Sequence, residues 1–145
     1  DLSHRVGGWV DWNLVLDSQG GPNSVGNFAD SPVIIADTND SFYRQPMYYA
    51  IGHFSRFIAR GARRVSLDLS STAVDAVAFL NPDDSIAIVV VNDSPQHVSA
   101  GIGSHTVTLK PSSINTLYFK DESYVGKLAS SLLLFTAVVI VLLWG

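Results

Sequence analysis

Apolar and polar positions along the 145-residue chain fall into three textures. In the first, residues 6–16 are apolar and aromatic almost throughout: Val6, Trp9, Val10, Trp12, Leu14, Val15 and Leu16, with Asp11 and Asn13 set among them. A run of this kind predicts a buried strand carrying polar groups toward its C-terminal end. Residues 17–23 are turn chemistry (Asp, Ser, Gly-Gly, Pro, Asn), so the strand opens into a long polar loop that leads to residues 25–28. Asp30-Ser31-Pro32 is a further turn, and Val33-Ile34-Ile35 is a short apolar run. A helix is expected from Pro46, because the missing proline N–H is unpaired at the first helical position anyway. Met47, Ile51, Phe54 and Ile58 recur at helical spacing and predict one buried face, and Gly61 is a natural stop.

The second texture begins at Arg63. Val65, Leu67 and Leu69 alternate with Arg64, Ser66 and Asp68, which predicts a strand with one wet face. Residues 74–80 and 85–92 flank Asn81-Pro82-Asp83-Asp84, a turn by composition, and predict a hairpin. Residues 86–91 are wholly apolar, as in a central strand buried on both sides. Residues 96–102 suggest an edge strand, residues 105–110 alternate again, and residues 114–119 form the last strand. Five or six short strands at this spacing imply an antiparallel β-sandwich.

The third texture is the tail. From Leu128 to Trp144 the chain is apolar except for Ser130, Ser131 and Thr136, after a polar spacer at residues 121–127. A hydrophobic helix here, at about 1.5 Å per residue, is near the short limit for spanning a bilayer. Two readings fit: a C-terminal membrane anchor, or a glycolipid-anchor signal cleaved near Asp121-Glu122-Ser123.

Composition narrows the chemistry. With no cysteine, the chain carries no disulfide, thiol nucleophile or Cys-based metal site. The net charge of −4 and the scattering of Arg, apart from Arg60, Arg63 and Arg64, leave no nucleic-acid footprint. His4, His97 and His105 share no metal-ligand spacing, and no cofactor or metal is expected. His53 reads as a packing or surface histidine rather than a catalyst. Among the carboxylates, Asp17, Asp30, Asp37 and Asp40 lie in turns and read as caps, whereas Asp11 either supports a site beside Trp12 or ion-pairs in a core. Asn39 and Asn92 each begin an N-glycosylation sequon, the second weakened by Pro95 after it. The start at Asp1, with neither Met nor signal peptide, reads as that of a C-terminal fragment.

Several strings together resemble a known family. G-W-V-D-W-N-L-V-L, then G-G-P-N and N-F-A-D-S-P, are similar to the last barrel segment of glycoside hydrolase family 30, in its glucosylceramidase branch. Q-P-M-Y-Y and G-H-F-S-R-F-I resemble the helix that follows, and the likeness runs from about His4 to Phe119. It implies that residues 1–62 are the last βα unit of a (β/α)8 TIM barrel and residues 63–120 an incomplete β-sandwich; residues 121–127 as spacer and residues 128–144 as membrane segment or anchor signal rest on hydropathy, and the tail is a departure from the family's lysosomal branch. It further implies a retaining β-glucosidase acting on glucosylceramide or a related β-glucoside, in the secretory pathway at the lysosome or cell surface, with any activator protein unknown. Alternatives are a β-1,6-glucanase-like hydrolase and a non-catalytic, membrane-tethered carbohydrate-binding module. Retaining enzymes need two carboxylates about 5 Å apart. In the family both are Glu, whereas the one Glu here, Glu122, lies in the spacer, so the chain alone is expected to be inactive. By position in the motif, Trp12 matches a pocket Trp and Asn27 a pocket Asn, a stacking wall and a hydroxyl partner for glucose. Ser24 and Gly26 depart from the Trp and Arg that the family carries beside Val25.

Overall fold

The computed structural model describes residues 2–4, 6–37, 40–67, 69, 72–102 and 105–120. The chain divides into two compact units, Val6–Gly52 and a second made of Asp1–Arg5 with His53–Gly145.

In the first unit, strand β1 (Val15–Asp17) pairs in parallel with β2 (Val33–Ile35), with Leu16 opposite Ile34. The neighbour β3 (Phe42–Arg44) runs antiparallel to β2, and Ala36 N–H closes the β2–β3 turn on Ser41 O at 3.0 Å. A hairpin partner thus stands between the strand and the helix of the expected βα unit. The strand itself is shorter than its apolar pattern predicts. Residues 6–14 form no ladder, and their apolar side chains are exposed, Val10 at 95%. The reason is physical: an extended segment becomes a buried strand only where neighbours take its N–H and C=O groups, and here only its last residue is met, Leu14 O accepting Val33 N–H at 3.2 Å.

Helix α1 (Pro46–Ser55) starts at the expected proline. Gln45 N–H donates to Pro32 O at 2.9 Å, which ties the helix start to the segment entering β2. It ends earlier than Gly61, with Ile58 N–H closing one last turn on Phe54 O at 2.9 Å. The buried face also differs. Met47, Ile51, Phe54 and Ile58 are half-buried, while His53 and Phe57, one turn apart, are the buried pair.

The second unit is antiparallel sheet. Strands β4 (Arg63–Val65), β5 (Asp75–Leu80), β6 (Ile86–Asn92) and β9 (Ser113–Phe119) form a four-stranded sheet in the order β4-β5-β6-β9. Strands β7 (Val98–Ile102) and β8 (His105–Leu109) make a two-stranded sheet. Strand β6 is central, as its unbroken apolar run predicts, and it is covered on both faces. On one face Ile86, Ile88 and Val90 pack with Ala78, Leu117 and Leu109 of β8, so the two sheets share one core. On the other, Val89 lies opposite Thr116 in the register, and Thr116 meets His53 at the end of α1.

Two sidechain-to-backbone knots hold this unit. Asn81, 4% exposed, donates from Nδ2 to Phe57 O and to Ser85 Oγ, both at 2.9 Å, and accepts Ala59 N–H at 2.8 Å. It also opens the β5–β6 turn, where its N–H donates to Ser85 O at 2.8 Å. Asn92, fully buried, donates to Gln96 O and Lys110 O, both at 2.8 Å, and its Oδ1 accepts Ser94 N–H and Oγ–H. The second sequon asparagine is therefore built into the fold: a glycan on Nδ2 would displace its two carbonyl partners. The other sequon asparagine, Asn39, lies outside the described residues. So do Glu122, the spacer at 121–127 and the tail at 128–144, where a hydrophobic helix is expected. Among the described residues, no helix is long and apolar enough to cross a membrane.

Candidate functional site

The residues assigned to a sugar pocket, Trp12 and Asn27, flank β1 and its loop in the first unit. Trp12 is 78% exposed, so its indole face is open. Asp11 is exposed as well, and its Oδ1 accepts the N–H of Trp12 at 2.9 Å. Its carboxylate thus braces the backbone at the tryptophan, in place of the core ion pair that a buried strand would have required. Asn27 stands exposed in the loop after β1. No hydrogen bond among the described residues joins it to Trp12.

The loop that carries Asn27 is built from its own polar groups. Asp17, at the end of β1, donates its N–H to Gly21 O at 2.7 Å and accepts the N–H groups of Gln19 (2.9 Å) and Gly21 (2.8 Å) on Oδ1. Gly20 has φ of 84°, and Ala29 N–H donates to its carbonyl at 3.1 Å. A Cβ on Gly20 would run into Ala29 O, so the two strands of the loop approach as closely as they do because this residue is glycine. The Gly21–Pro22 bond is cis. Asn23 then takes two backbone N–H groups on Oδ1, from Val25 at 3.2 Å and Asn27 at 3.0 Å. On the far side, Asp30 Oδ1 accepts Ser31 N–H at 2.8 Å and Gln45 Nε2–H at 3.3 Å, and Asp37 accepts Ser18 Oγ–H at 2.7 Å. Asp17, Asp30 and Asp37 are loop-bracing groups, as their place in turns suggests. Asn23 is the residue that the sequence reading passed over: it sits in an evident turn, but nothing in the string marks which amides it holds.

The second unit contains a cavity of about 460 Å³ lined in part by Arg56, Arg60, Asn81, Asp83 and Tyr118. Hydrogen bonds from the Ser85 hydroxyl and N–H hold the Asp83 carboxyl below the usual carboxylate range; burial opposes them, and Lys120 at 3.4 Å adds to them. Of the groups around the cavity, Asn81, Asp83 and Tyr118 are all engaged with the Ser85 hydroxyl. His53 is buried, 2% exposed, with Nδ1 2.8 Å from Thr116 Oγ1, and burial lowers its pKa. It is a packing residue of the second unit. Among the described residues, no group of three His, Cys, Asp or Glu could hold a metal.

A strand, loop and helix followed by antiparallel sheet define the architecture, and the sequence matches name its class. Residues 1–58 match the glycosyl hydrolase family 30 TIM-barrel domain, and residues 61–117 match the glycosyl hydrolase family 30 beta sandwich domain. The chain belongs to glycoside hydrolase family 30. It is 52% identical over 99 residues to the lysosomal acid glucosylceramidase of Mus musculus, a match covering 68% of this chain and 19% of that protein. SrfJ from Salmonella typhimurium is similar in structure, with a TM-score of 0.71 at 36% identity over 77% of this chain and 26% of that one. An endo-β1,6-glucanase follows at a TM-score of 0.64 and 26% identity, covering 71% of this chain and 25% of that one. The chain thus spans about a fifth to a quarter of the length of these relatives.

Proposed function

We propose that this chain supplies the last barrel segment and the sandwich of a retaining β-glucosidase that cleaves glucosylceramide to glucose and ceramide. The observation that carries the reading is the 52% identity over 99 residues to a lysosomal acid glucosylceramidase. The geometry supports it: an indole with an open face can pack on the C–H side of a sugar ring, and Asn27 stands exposed on a braced loop, able to meet a hydroxyl. The acid and nucleophile are a pair of carboxylates elsewhere in the full-length protein, since the one Glu of this chain lies in the spacer. These residues therefore bind and orient the glucoside, while the bond is broken by groups outside residues 1–145. By the same homology the protein works in the secretory pathway or lysosome. The apolar tail from Leu128 to Trp144 would hold it at the surface where a lipid substrate lies.

The competing reading within the family is a β-1,6-glucanase, favoured by the structural likeness to the endo-β1,6-glucanase. The deciding experiment offers the full-length protein glucosylceramide and a β-1,6-glucan in parallel and identifies the products by mass spectrometry. Ceramide release with an intact glucan is the expected result; glucan cleavage with intact glucosylceramide would assign the second activity.

A further inference from the structure

The loop between β1 and β2 has a feature that the pocket reading does not use. Between Gly21 and Ala29, no backbone-to-backbone hydrogen bond is made among the described residues. Yet the segment is not a free arc. One side-chain atom, Asn23 Oδ1, accepts both Val25 N–H at 3.2 Å and Asn27 N–H at 3.0 Å. Between those two amides lies Gly26, with φ of 71° and no heavy atom within 4 Å of where a Cβ would stand. A glycine in open space samples left- and right-handed conformations at similar cost. Packing does not choose between them here; the two hydrogen bonds accepted by Asn23 Oδ1 do, because both amides converge on one oxygen when the chain turns at Gly26 as it does. The next residue is Asn27.

We infer that Asn23 is the positioning residue of the sugar pocket: its side-chain oxygen fixes the left-handed turn at Gly26 and thereby the direction in which Asn27 is presented to the glucose. This rests on the reading of Asn27 as a hydroxyl partner. Asn23 touches no substrate in this account and acts through Asn27 alone. Without the oxygen, the loop divides its time among several Gly26 conformations, and the pocket binds with an affinity reduced by the fraction that is competent. An ordering bond pair of ordinary net strength corresponds to about a fivefold to tenfold loss.

The test uses the full-length protein and the dissociation constant of a glucose-configured iminosugar, measured by calorimetry. Asn23→Ala is expected to weaken binding about fivefold to tenfold, and Asn23→Asp, which keeps the acceptor oxygen, to stay within about twofold of the parent. In an Asn27→Ala background, Asn23→Ala is expected to add less than about twofold, because the cycle removes an effect that runs through Asn27. A merely structural role would instead give multiplying losses in the double variant, and failure of Asp to rescue would mean that the acceptor oxygen is not the cause; either result overturns the inference. If Asn27→Ala weakens binding and Asn23→Ala does not, the positioning role fails and the pocket stands. If Asn27→Ala binds as the parent does, the pocket reading fails and takes the positioning role with it. Should Asn23→Ala not fold, hydrogen exchange on the parent decides: slowed exchange at Val25 and Asn27 amides is expected, and exchange at the free-loop rate overturns the inference.

Discussion

Replacing Asn81 with Ala cuts the second unit at its most connected polar residue. The side chain holds three groups from two segments: Phe57 O, Ala59 N–H and Ser85 Oγ. Their environments differ, and so do the costs. Phe57 O belongs to a buried residue and would be left unpaired, at about 1–3 kcal/mol. Ala59 is exposed, so water can replace its partner and the loss is about 0.5–1 kcal/mol. Ser85 Oγ keeps Asp83 at 2.6 Å and Tyr118 at 2.9 Å, and contributes little. The sum is about 1.5–4 kcal/mol, concentrated where the segment after α1 meets the β5–β6 hairpin. A full-length glycosidase does not unfold in two states, so a single melting curve would blur this local effect. Hydrogen exchange resolves it. In Asn81→Ala, the peptide containing Ala59 should exchange at least about tenfold faster, the lower end of that range in free energy. In Asn81→Asp the Oδ1 acceptor remains, so Ala59 should stay protected even though the donor bonds to Phe57 O and Ser85 Oγ are lost. Unchanged exchange in Asn81→Ala, or equal loss of protection in both variants, would refute this reasoning.

Three further outcomes follow from the geometry. His53 has a folded pKa below its ordinary value of 6.5 because it is buried, so the unfolded chain binds more protons as pH falls through 6.5. Stability should be full above pH 6.5 and decline below it until the folded pKa is reached; denaturation across pH 7 to 5 should show the decline, and His53→Gln should flatten it. Gly20→Ala forces a Cβ against backbone at a positive φ, so it should cost about 1–3 kcal/mol and speed amide exchange at Ala29. Truncation before Leu128 should move the full-length protein from the membrane pellet to the supernatant; continued sedimentation would remove the tail as the anchor.

Much of the second unit could be read from the string. The unbroken run from Ile86 to Val91 told of burial on both faces, and both faces of β6 are indeed covered. Asn81-Pro82-Asp83-Asp84 marked its turn, and Pro46 its helix start. The first unit was less legible, for a physical reason. Periodicity says which side chains are apolar, but burial depends on what comes to meet them. Residues 6–14 carry a core-strand composition but join no ladder among the described residues, so Trp9 and Trp12 stand exposed. The same limit explains the helix: Met47, Ile51, Phe54 and Ile58 form the apolar face, while His53 is the buried position because Thr116, 63 residues away, accepts or donates to its ring. Trp12 and Asn27 became candidates through family motifs rather than local pattern. Asn23 escaped notice because an Asn in a turn has several amides within reach, and only the folded loop reveals the two it holds.

The most direct trial of the account is steady-state kinetics of the full-length protein with Trp12→Ala on a glucoside substrate. Loss of one good aromatic contact to the sugar, about 1.4 kcal/mol, predicts that kcat/KM falls at least tenfold while the protein remains folded. Parent-like kcat/KM would mean that this chain does not wall the glucose pocket.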